Sequence, residues 1–413
     1  MVTLTCFFEQ NTDLGQIYVD QDDIEARVLD GTIDPAYLSK EGHEALTKNT
    51  LWVMGDQGDT GWGDSCRYAT STCSPRIGPE QNNSWAKVAA GACHVNIIKT
   101  DGTLWAWGQN NCGQLGTSNV INTSSPVQEF CSASNWDCII SLAFNTSALK
   151  ADGSLWLWGA GTGGRLANNS QTSVSKPTRE VTSSTWMSIG MNAGGQANFG
   201  VKTNGTLWTW GCNGSYGNMA INCSTGTCRL TPVQVSSTSS NWCFVSLARI
   251  NASSAIKTDG TLWAWGQGDN GAIGDNNNIN RSSPVQEVTN GTDWCYSAGG
   301  NGTTIALKND GSFWGWGING TRFVVGAAPQ TTCFSSPVQE FSQSYGWCKA
   351  DACYHNMALK VDGTLWGWTN FQLRGELGDA MSGGGCSPTQ EYHSLTTWCD
   401  ISVRAWATFA IKG

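Results

Sequence analysis

The sequence predicts an all-β protein folded as a seven-bladed β-propeller. A tryptophan-rich string returns seven times, each copy carries a hairpin signal, and the repeats lack the sustained 3.6-residue periodicity of helices. The first tryptophans of successive copies are 53, 51, 52, 55, 51 and 52 residues apart. A fixed period near 50 is typical of repeat architectures, so most of the 413 residues are predicted to form one ring rather than several domains.

Further markers keep step with this string, whose best copy is Asp-Gly-Thr-Leu-Trp-Ala-Trp-Gly at residues 101–108. A proline opens each copy of Ser-Pro-Val-Gln-Glu or its variants, and a second tryptophan follows it 9 or 10 residues later. A lysine stands six residues before the first tryptophan in most copies. Of the 22 tryptophans, only Trp62 and Trp406 lie outside the pattern, so nearly all are predicted to pack between blades.

Each unit contains the pattern of a β-hairpin. In residues 255–265, two apolar runs flank Asp259-Gly260, a strong turn signal. Leu262 and Ala264 alternate with Trp263 and Trp265, so both faces of the strand are apolar. A sheet that is apolar on both faces fits between two neighbouring sheets, as it does in a propeller.

The two ends of the chain predict how the ring closes. Residues 408–412 match the strand that normally precedes the tryptophan string, yet the sequence stops at Gly413. The missing partner strand is present at residues 51–54. One blade is therefore predicted to be built from both ends, which removes two open sheet edges.

These units resemble those of the regulator of chromosome condensation repeat family, whose members fold as seven-bladed propellers. The resemblance covers residues 48–413 and implies the fold much more strongly than a function. Family functions include nucleotide exchange on a small GTPase and inhibition of secreted enzymes. Both remain open as alternatives for this chain.

The composition and charge of the chain disfavour several classes of function. A net charge of −9 disfavours a nucleic-acid partner, and no apolar stretch is long enough to predict insertion into a membrane. The N-terminus lacks the pattern of a secretory signal. No catalytic constellation stands out, and no Cys or His cluster has metal-ligand spacing, so we expect neither an enzyme nor a metal or cofactor site.

The 17 cysteines suggest disulfides in some loops. Three pairs are close enough in sequence to close small rings: Cys66 with Cys73, Cys223 with Cys228 and, as a weaker candidate, Cys131 with Cys138. Four other cysteines directly follow a periodic tryptophan and are predicted to pack as small hydrophobic residues; these are Cys243, Cys295, Cys348 and Cys399.

Two features are candidate binding elements. The periodic lysines either form a positive collar around the central channel or make local charge pairs with the acidic residue of the adjacent hairpin turn, called the turn acid, and the second alternative is favoured. The segment between the string's glycine and the marker proline varies from 18 to 21 residues, which predicts variable loops on one face, although neutral drift is an equal alternative. The aromatic and cationic residues proposed for binding there are Tyr216, Arg229, Arg322, Phe323, Phe371 and Arg374.

Residues 1–47 do not repeat and are predicted to form a short docking arm, with the propeller spanning residues 48–413. The arm is too small to bury a core of its own and therefore needs another surface. Its Asn-Thr-Asp-Leu-Gly stretch at residues 11–15, followed by this kind of propeller, resembles structural proteins of tailed bacteriophages, especially those infecting cyanobacteria. That resemblance implies a non-enzymatic virion protein that docks to other virion proteins through the arm and displays its loops to a host-surface receptor.

Overall fold

The structure is a computed structural model that describes residues 49–55, 72–77, 84–142, 144–191, 197–235, 239–246, 252–300, 302–318, 333–369, 377–379, 387–404 and 407–413. The predicted arm, residues 1–47, lies outside these ranges, and so do Trp62 and Trp406. Within the ranges, no helix has the length and apolar character needed to cross a membrane.

The described residues form 28 strands arranged as seven four-stranded antiparallel sheets, which confirms the predicted seven-bladed propeller. In chain order the strands are β1 (Thr50–Gly55) and β2 (Thr72–Ile77); β3 (Trp85–Ala90), β4 (His94–Lys99), β5 (Leu104–Gly108) and β6 (Thr123–Gln128); β7 (Trp136–Leu142), β8 (Asn145–Lys150), β9 (Leu155–Gly159) and β10 (Val174–Arg179); β11 (Trp186–Met191), β12 (Ala197–Lys202), β13 (Leu207–Cys212) and β14 (Cys228–Gln234); β15 (Trp242–Val245), β16 (Ala252–Lys257), β17 (Leu262–Gly266) and β18 (Arg281–Gln286); β19 (Trp294–Gly299), β20 (Thr303–Lys308), β21 (Phe313–Ile318) and β22 (Cys333–Gln339); β23 (Trp347–Ala352), β24 (Asn356–Lys360), β25 (Leu365–Trp368) and β26 (Thr389–Gln390); and β27 (Trp398–Arg404) and β28 (Ala407–Lys412).

Six blades are continuous in sequence and one is shared between the chain ends. Blades 1 to 6 begin with β3, β7, β11, β15, β19 and β23, and each continues through the next three strands. Blade 7 has the order β2-β1-β28-β27, with Leu51 opposite Ile411 and Val53 opposite Phe409. The predicted closure of the ring by both ends of the chain is therefore confirmed.

Hairpins form where the sequence predicts them. Strands β16 and β17 pair through Ala255 and Trp263, and Gly260 lies between them with a φ of +77°. A side chain at this glycine would meet the backbone of Thr292 in the next blade. The Asp-Gly turn is thus required both by its left-handed backbone and by the close approach of the following blade.

The core lies between the blades rather than within them. Six of the seven strings carry a second, buried tryptophan. In four blades its ring packs edge-on or tilted against the first-strand tryptophan of the same blade, as in Trp136–Trp158 (5.9 Å between centroids) and Trp294–Trp316 (6.1 Å). The indole nitrogens of Trp158 and Trp316 donate to loop carbonyls of the preceding blade, at Gln114 and Ala272. Blades 2 and 5 are therefore fastened to the blades before them by both apolar packing and hydrogen bonds.

The two faces of the disc are built from different connections. The loops after the first and third strands meet on one face, the loop face, where Gln109 N donates to Cys93 O (2.6 Å). The turns after the second strand and the links between blades meet on the other, the turn face, where Thr100 N donates to Ser84 O (2.7 Å). The variable segments between glycine and proline all follow a third strand, so they share the loop face.

Candidate protein-binding surfaces

The loop after β13 in blade 3 is the variable loop that the structure describes most fully. Its ends are joined by a disulfide between Cys212 and Cys228, which face each other where β13 pairs with β14. Inside the loop, the buried Asn213 donates from Nδ2 to Cys223 O (2.8 Å) and accepts from Met219 N (3.2 Å). The disulfide and this asparagine hold the loop in a defined shape.

This disulfide corrects the predicted cysteine pairing. Cys228 bonds to Cys212 and not to Cys223, because register across the two strands, rather than closeness in sequence, brings the sulfur atoms together. Cys223 is a free thiol, and so are Cys131 and Cys138, so the third predicted pair is also wrong. The side chains of Cys66 and Cys73 lie outside the described part of the chain.

The disulfide gives a testable expectation. Alkylation without reductant should leave Cys212 and Cys228 unlabelled while labelling Cys131 and Cys295. Replacing both bonded cysteines by serine should lower the free energy of unfolding by about 3 kcal/mol, the value for a ring of roughly 15 residues. Mass spectrometry of labelled peptides checks the pairing, and denaturant unfolding checks the energy. Labelling of Cys212 in the folded, unreduced protein would contradict it.

Of the six proposed loop residues, the structure places two. Tyr216 is partly buried within the loop of blade 3, and Arg229 is exposed on β14 directly after the disulfide. Both belong to the same disulfide-closed element. Arg322, Phe323, Phe371 and Arg374 lie outside the described residues.

A ring of side chains around the central channel was missed by the sequence interpretation. Each first strand has a register shift after its opening tryptophan, and the residue two places on is where pairing resumes. First strands of neighbouring blades lie against one another, for example β27 with β3 and β3 with β7. The seven residues at this position are Lys87, Cys138, Ser188, Phe244, Tyr296, Lys349 and Asp400.

The ring is chemically uneven. Phe244 and Tyr296 form an aromatic pair, 5.4 Å between centroids, while the ammonium of Lys349 pairs with the Asp400 carboxylate. Burial raises the pKa of Tyr296 well above its ordinary value. Burial is the largest single influence and lowers the pKa of Lys349, but the charge and hydrogen bond of Asp400, together with Tyr296 and Asp351, outweigh it and raise that pKa. The phenol and the ammonium therefore both keep their protons at neutral pH.

Several polar members of the ring have a structural task. Asp400 accepts from Val88 N of the next blade (2.7 Å), and Ser188 accepts from Val245 N (3.1 Å) in the same way. One layer further along, Ser402 accepts from Ala90 N (3.0 Å). A first strand is the inner edge of its sheet, so these side chains satisfy amide groups that would otherwise lack a partner. The ring is thus mainly a fastening between blades.

The lysine series forms neither a channel collar nor simple pairs with the turn acids. Six lysines each place Nζ over two indole rings of their own blade, as Lys202 does over Trp186 (5.1 Å) and Trp208 (3.5 Å). The turn acids instead bind the turn: Asp101 Oδ1 accepts from Thr103 N and Oγ1, and Trp105 Nε1 donates to Thr103 Oγ1. The favoured expectation is therefore wrong, because each ammonium is attracted to two aromatic faces.

This arrangement predicts the effect of removing one ammonium. Burial lowers the pKa of Lys202, which shows that removing the ammonium from water is unfavourable. The attraction of the ammonium to the two indole rings offsets part of this desolvation cost. Lys202→Met should lower the free energy of unfolding by about 1–2 kcal/mol. Lys176, whose Nζ lies 5.7 Å from the exposed ring of Phe130 alone, is the control, and Lys176→Met should cost less than about 0.5 kcal/mol. Equal effects in denaturant unfolding would contradict the two-ring account.

The free cysteines that follow a tryptophan correct another expectation in part. Cys295, Cys348 and Cys399 are exposed residues, so they do not pack as small hydrophobic residues, whereas Cys243 is partly buried and packs against the core cluster of Trp294 and Trp316, as predicted. Each thiol donates to a carbonyl of the second strand, as Cys399 Sγ does to Ile411 O (3.4 Å). Burial of the sulfur, followed by the Asp400 charge, raises the pKa of Cys399 to about 11, which makes it a weak nucleophile at neutral pH.

The buried His94 has a structural position in the core. His94 Nε2 lies 3.3 Å from Thr146 Oγ1, and burial, with a smaller contribution from Arg404, lowers the pKa of His94 to about 3. Among the described residues, no group of three or more His, Cys, Asp or Glu side chains is arranged to hold a metal ion.

Known proteins share both the repeat and the fold. The regulator of chromosome condensation (RCC1) repeat matches residues 85–114, 101–135 and 259–307. Residues 85–135 and 259–307 therefore carry RCC1 repeats. The RCC1 domain-containing protein RUG3, mitochondrial, of Arabidopsis thaliana is 26% identical over 70% of this chain and 65% of its own length. The ultraviolet-B receptor UVR8 of the same plant is 27% identical over 63% of this chain and 60% of its own length. The chain thus spans less than two thirds of either relative.

Solved structures agree on the architecture of this RCC1-repeat propeller. Prp20p of Saccharomyces cerevisiae, described together with its binding to Gsp1p and histones, superposes with a TM-score of 0.74 at 15% identity, covering 91% of this chain and 94% of Prp20p. Human WBSCR16 gives a TM-score of 0.70 at 15% identity, covering 88% of this chain and 98% of WBSCR16. At such identities the likeness concerns the fold alone.

Proposed function

We propose that the RCC1-repeat propeller is a non-enzymatic protein-binding module that engages its partner through the loop face. The observation that carries this proposal is the contrast, within the described residues, between a uniform scaffold and the disulfide-closed loop of blade 3. The blades repeat their hydrogen bonds closely, whereas blade 3 carries a disulfide-closed loop with Tyr216 and Arg229. A rigid support that presents a shaped aromatic and cationic loop reduces the entropy cost of binding.

The propeller scaffold supports this use by tying each loop to the next blade. Ser118 N donates to Ser175 O (2.6 Å), and Asn222 N donates to Ser282 O (3.1 Å), each from a loop to the fourth strand of the following blade. Gly113 and Gly217 lie against those same serines, where a side chain would collide with the backbone. The loops are therefore held by contacts that do not involve Tyr216 or Arg229, which leaves those residues available for a partner.

At a finer level, we propose that the chain is a structural component of a tailed-phage virion. In this proposal residues 1–47 dock to other virion proteins and the loop face meets a host-surface receptor. The resemblance of residues 11–15 and the low charge, with Asp, Glu, Lys and Arg making up 13% of the chain, support it. Purified particles should contain the chain after density-gradient sedimentation. A chain found only in the free fraction would contradict the proposal.

The binding proposal has a separate test. Cross-linking mass spectrometry of the chain with its co-purified partner should place the links on the loop face, including the segment 212–228. Tyr216→Ala with Arg229→Ala should weaken that complex about tenfold or more, as expected for an aromatic and an arginine at an interface. Thr258→Ala on the turn face is the matched control and should bind normally. Links confined to the turn face would contradict the proposal. Faster nucleotide release from a small GTPase would instead favour the exchange-factor alternative.

A further inference from the structure

Blade 6 departs from the other described blades at one place on the turn face. The residue two places before its opening tryptophan is Tyr345, where the others have Ser134, Ser184, Ser240, Thr292 and Thr396. The residue after its periodic lysine is Val361, where blades 1 to 5 have Thr100, Ala151, Thr203, Thr258 and Asn309. Tyr345 is 58% exposed and Val361 is 77% exposed. Two large apolar side chains therefore stand where the repeat calls for small or polar ones.

A third departure leaves these side chains uncovered. Val361 N donates to Gly346 O (2.8 Å), so the two apolar positions are neighbours across this contact. In blades 3 and 4 the residue at the position of Gly346 contacts the turn with its side chain: Thr185 bonds Thr203 (2.8 Å between hydroxyls), and Asn241 Nδ2 donates to Asp259 Oδ2 (3.4 Å). Gly346 has no side chain, and an added Cβ would lie 3.5 Å from Val361 Cγ2. We call Tyr345, Gly346 and Val361 the blade 6 notch.

The described chain begins beside this notch. Asn49 O accepts from Trp85 N (3.0 Å) on the turn face of blade 7, as Gly363 O accepts from Trp398 N (2.9 Å) on the turn face of blade 6. The chain upstream of Asn49 thus starts on the same face, one blade away. An extended chain advances about 3.3 Å per residue, so the 48 preceding residues are long enough to reach a site one blade away.

We propose that the blade 6 notch is the seat of the chain's own N-terminal segment, residues 1–48. That segment is too short to bury a core alone, and it carries the apolar run Ile17-Tyr18-Val19. Being tethered beside the notch, it reaches it at a far higher effective concentration than a separate protein. A segment seated there lies on the face opposite the loop face and leaves Tyr216 and Arg229 free. The inference is independent of the loop-face binding proposed above, but it competes with the virion proposal, because it gives residues 1–48 a site on their own chain instead of on other virion proteins.

Site-specific photo-cross-linking of the full chain tests the proposal. With p-benzoylphenylalanine in place of Val361, the product should be an intramolecular link to a peptide from residues 1–48, read by mass spectrometry. The same amino acid in place of Thr258, the matching position in blade 4, should give no such link. A link to a second copy, seen as a covalent dimer, would overturn the proposal, as would a link to another protein or no link to residues 1–48.

A second variant restores the repeat and so preserves the fold. Tyr345→Ser with Val361→Thr should leave the melting temperature of the propeller unchanged while releasing the segment. Tryptic cleavage after Arg27 and Lys40 should then become about 5-fold faster, the factor expected from losing about 1 kcal/mol of docking. Thr258→Val should leave these cleavage rates unchanged. Unchanged cleavage in the double variant would overturn the proposal.

Discussion

Removal of the last seven residues, Ala407–Gly413, is expected to abolish the native ring rather than loosen a single blade. Strand β28 pairs with β1 on one side and with β27 on the other, so its loss exposes two sheet edges at once. Phe409 and Ile411 are buried with Trp107 of blade 1, and Ala410 is buried with Trp398. Losing one such phenylalanine and one isoleucine costs about 5–10 kcal/mol, comparable with the whole stability of a typical protein.

Two milder variants keep this prediction testable if the truncated chain does not fold. Phe409→Ala should fold and lose about 3–5 kcal/mol in denaturant unfolding. Deletion of Gly413 alone removes one hydrogen bond, from Gly413 N to Thr397 O (2.7 Å), and should cost about 1 kcal/mol. Near-ultraviolet circular dichroism and thermal melting distinguish these outcomes. A chain lacking β28 that melts like the wild type would show that the ring does not depend on its closing strand.

The fold was predictable because the residues that build a propeller recur in every blade. The period of the first tryptophans gave the number of blades, and the match of residues 408–412 to an internal strand predicted the closure that the pairing of Val53 with Phe409 confirms. Such residues recur because each blade must meet its neighbour in the same way. A search for recurrence therefore finds the scaffold first.

The ring of side chains around the channel was not predicted, because its positions do not repeat a residue type. Its seven positions hold almost every kind of side chain, from Phe244 to Asp400, so no shared letter marks them. The available signal was positional: the residue two places after each periodic tryptophan. The cysteine pairing was predicted wrongly because it depends on strand register, which places Cys212 opposite Cys228. The lysine environment escaped because sequence spacing does not show that two indoles from different strands converge on one ammonium.

The second large loss of stability is expected from replacing the buried glutamate of the Pro-Val-Gln-Glu marker. Glu287 is fully buried and accepts from Thr289 N (2.6 Å), Thr289 Oγ1 (2.6 Å), Gly291 N (2.8 Å) and Trp294 Nε1 (3.2 Å). One carboxylate thus fixes the link between blades 4 and 5 and the tryptophan that opens blade 5. The same device recurs at Glu129, which holds Cys131, Ala133 and Trp136.

Glu287→Ala is expected to lower the free energy of unfolding by about 3–5 kcal/mol, because it strips several buried donors of their acceptor at once. Glu287→Gln keeps an acceptor oxygen but loses the charge and should cost about 1–2 kcal/mol. Val288→Ala, at the neighbouring exposed residue, is the control and should stay within about 0.5 kcal/mol. Denaturant unfolding of the three variants checks this order. If the alanine and control variants were equally stable, the carboxylate would not organise the link, and the recurring glutamate would need another explanation. In blade 3 the buried Val235 occupies this position and packs in the same core cluster as Trp242, the tryptophan that opens blade 4.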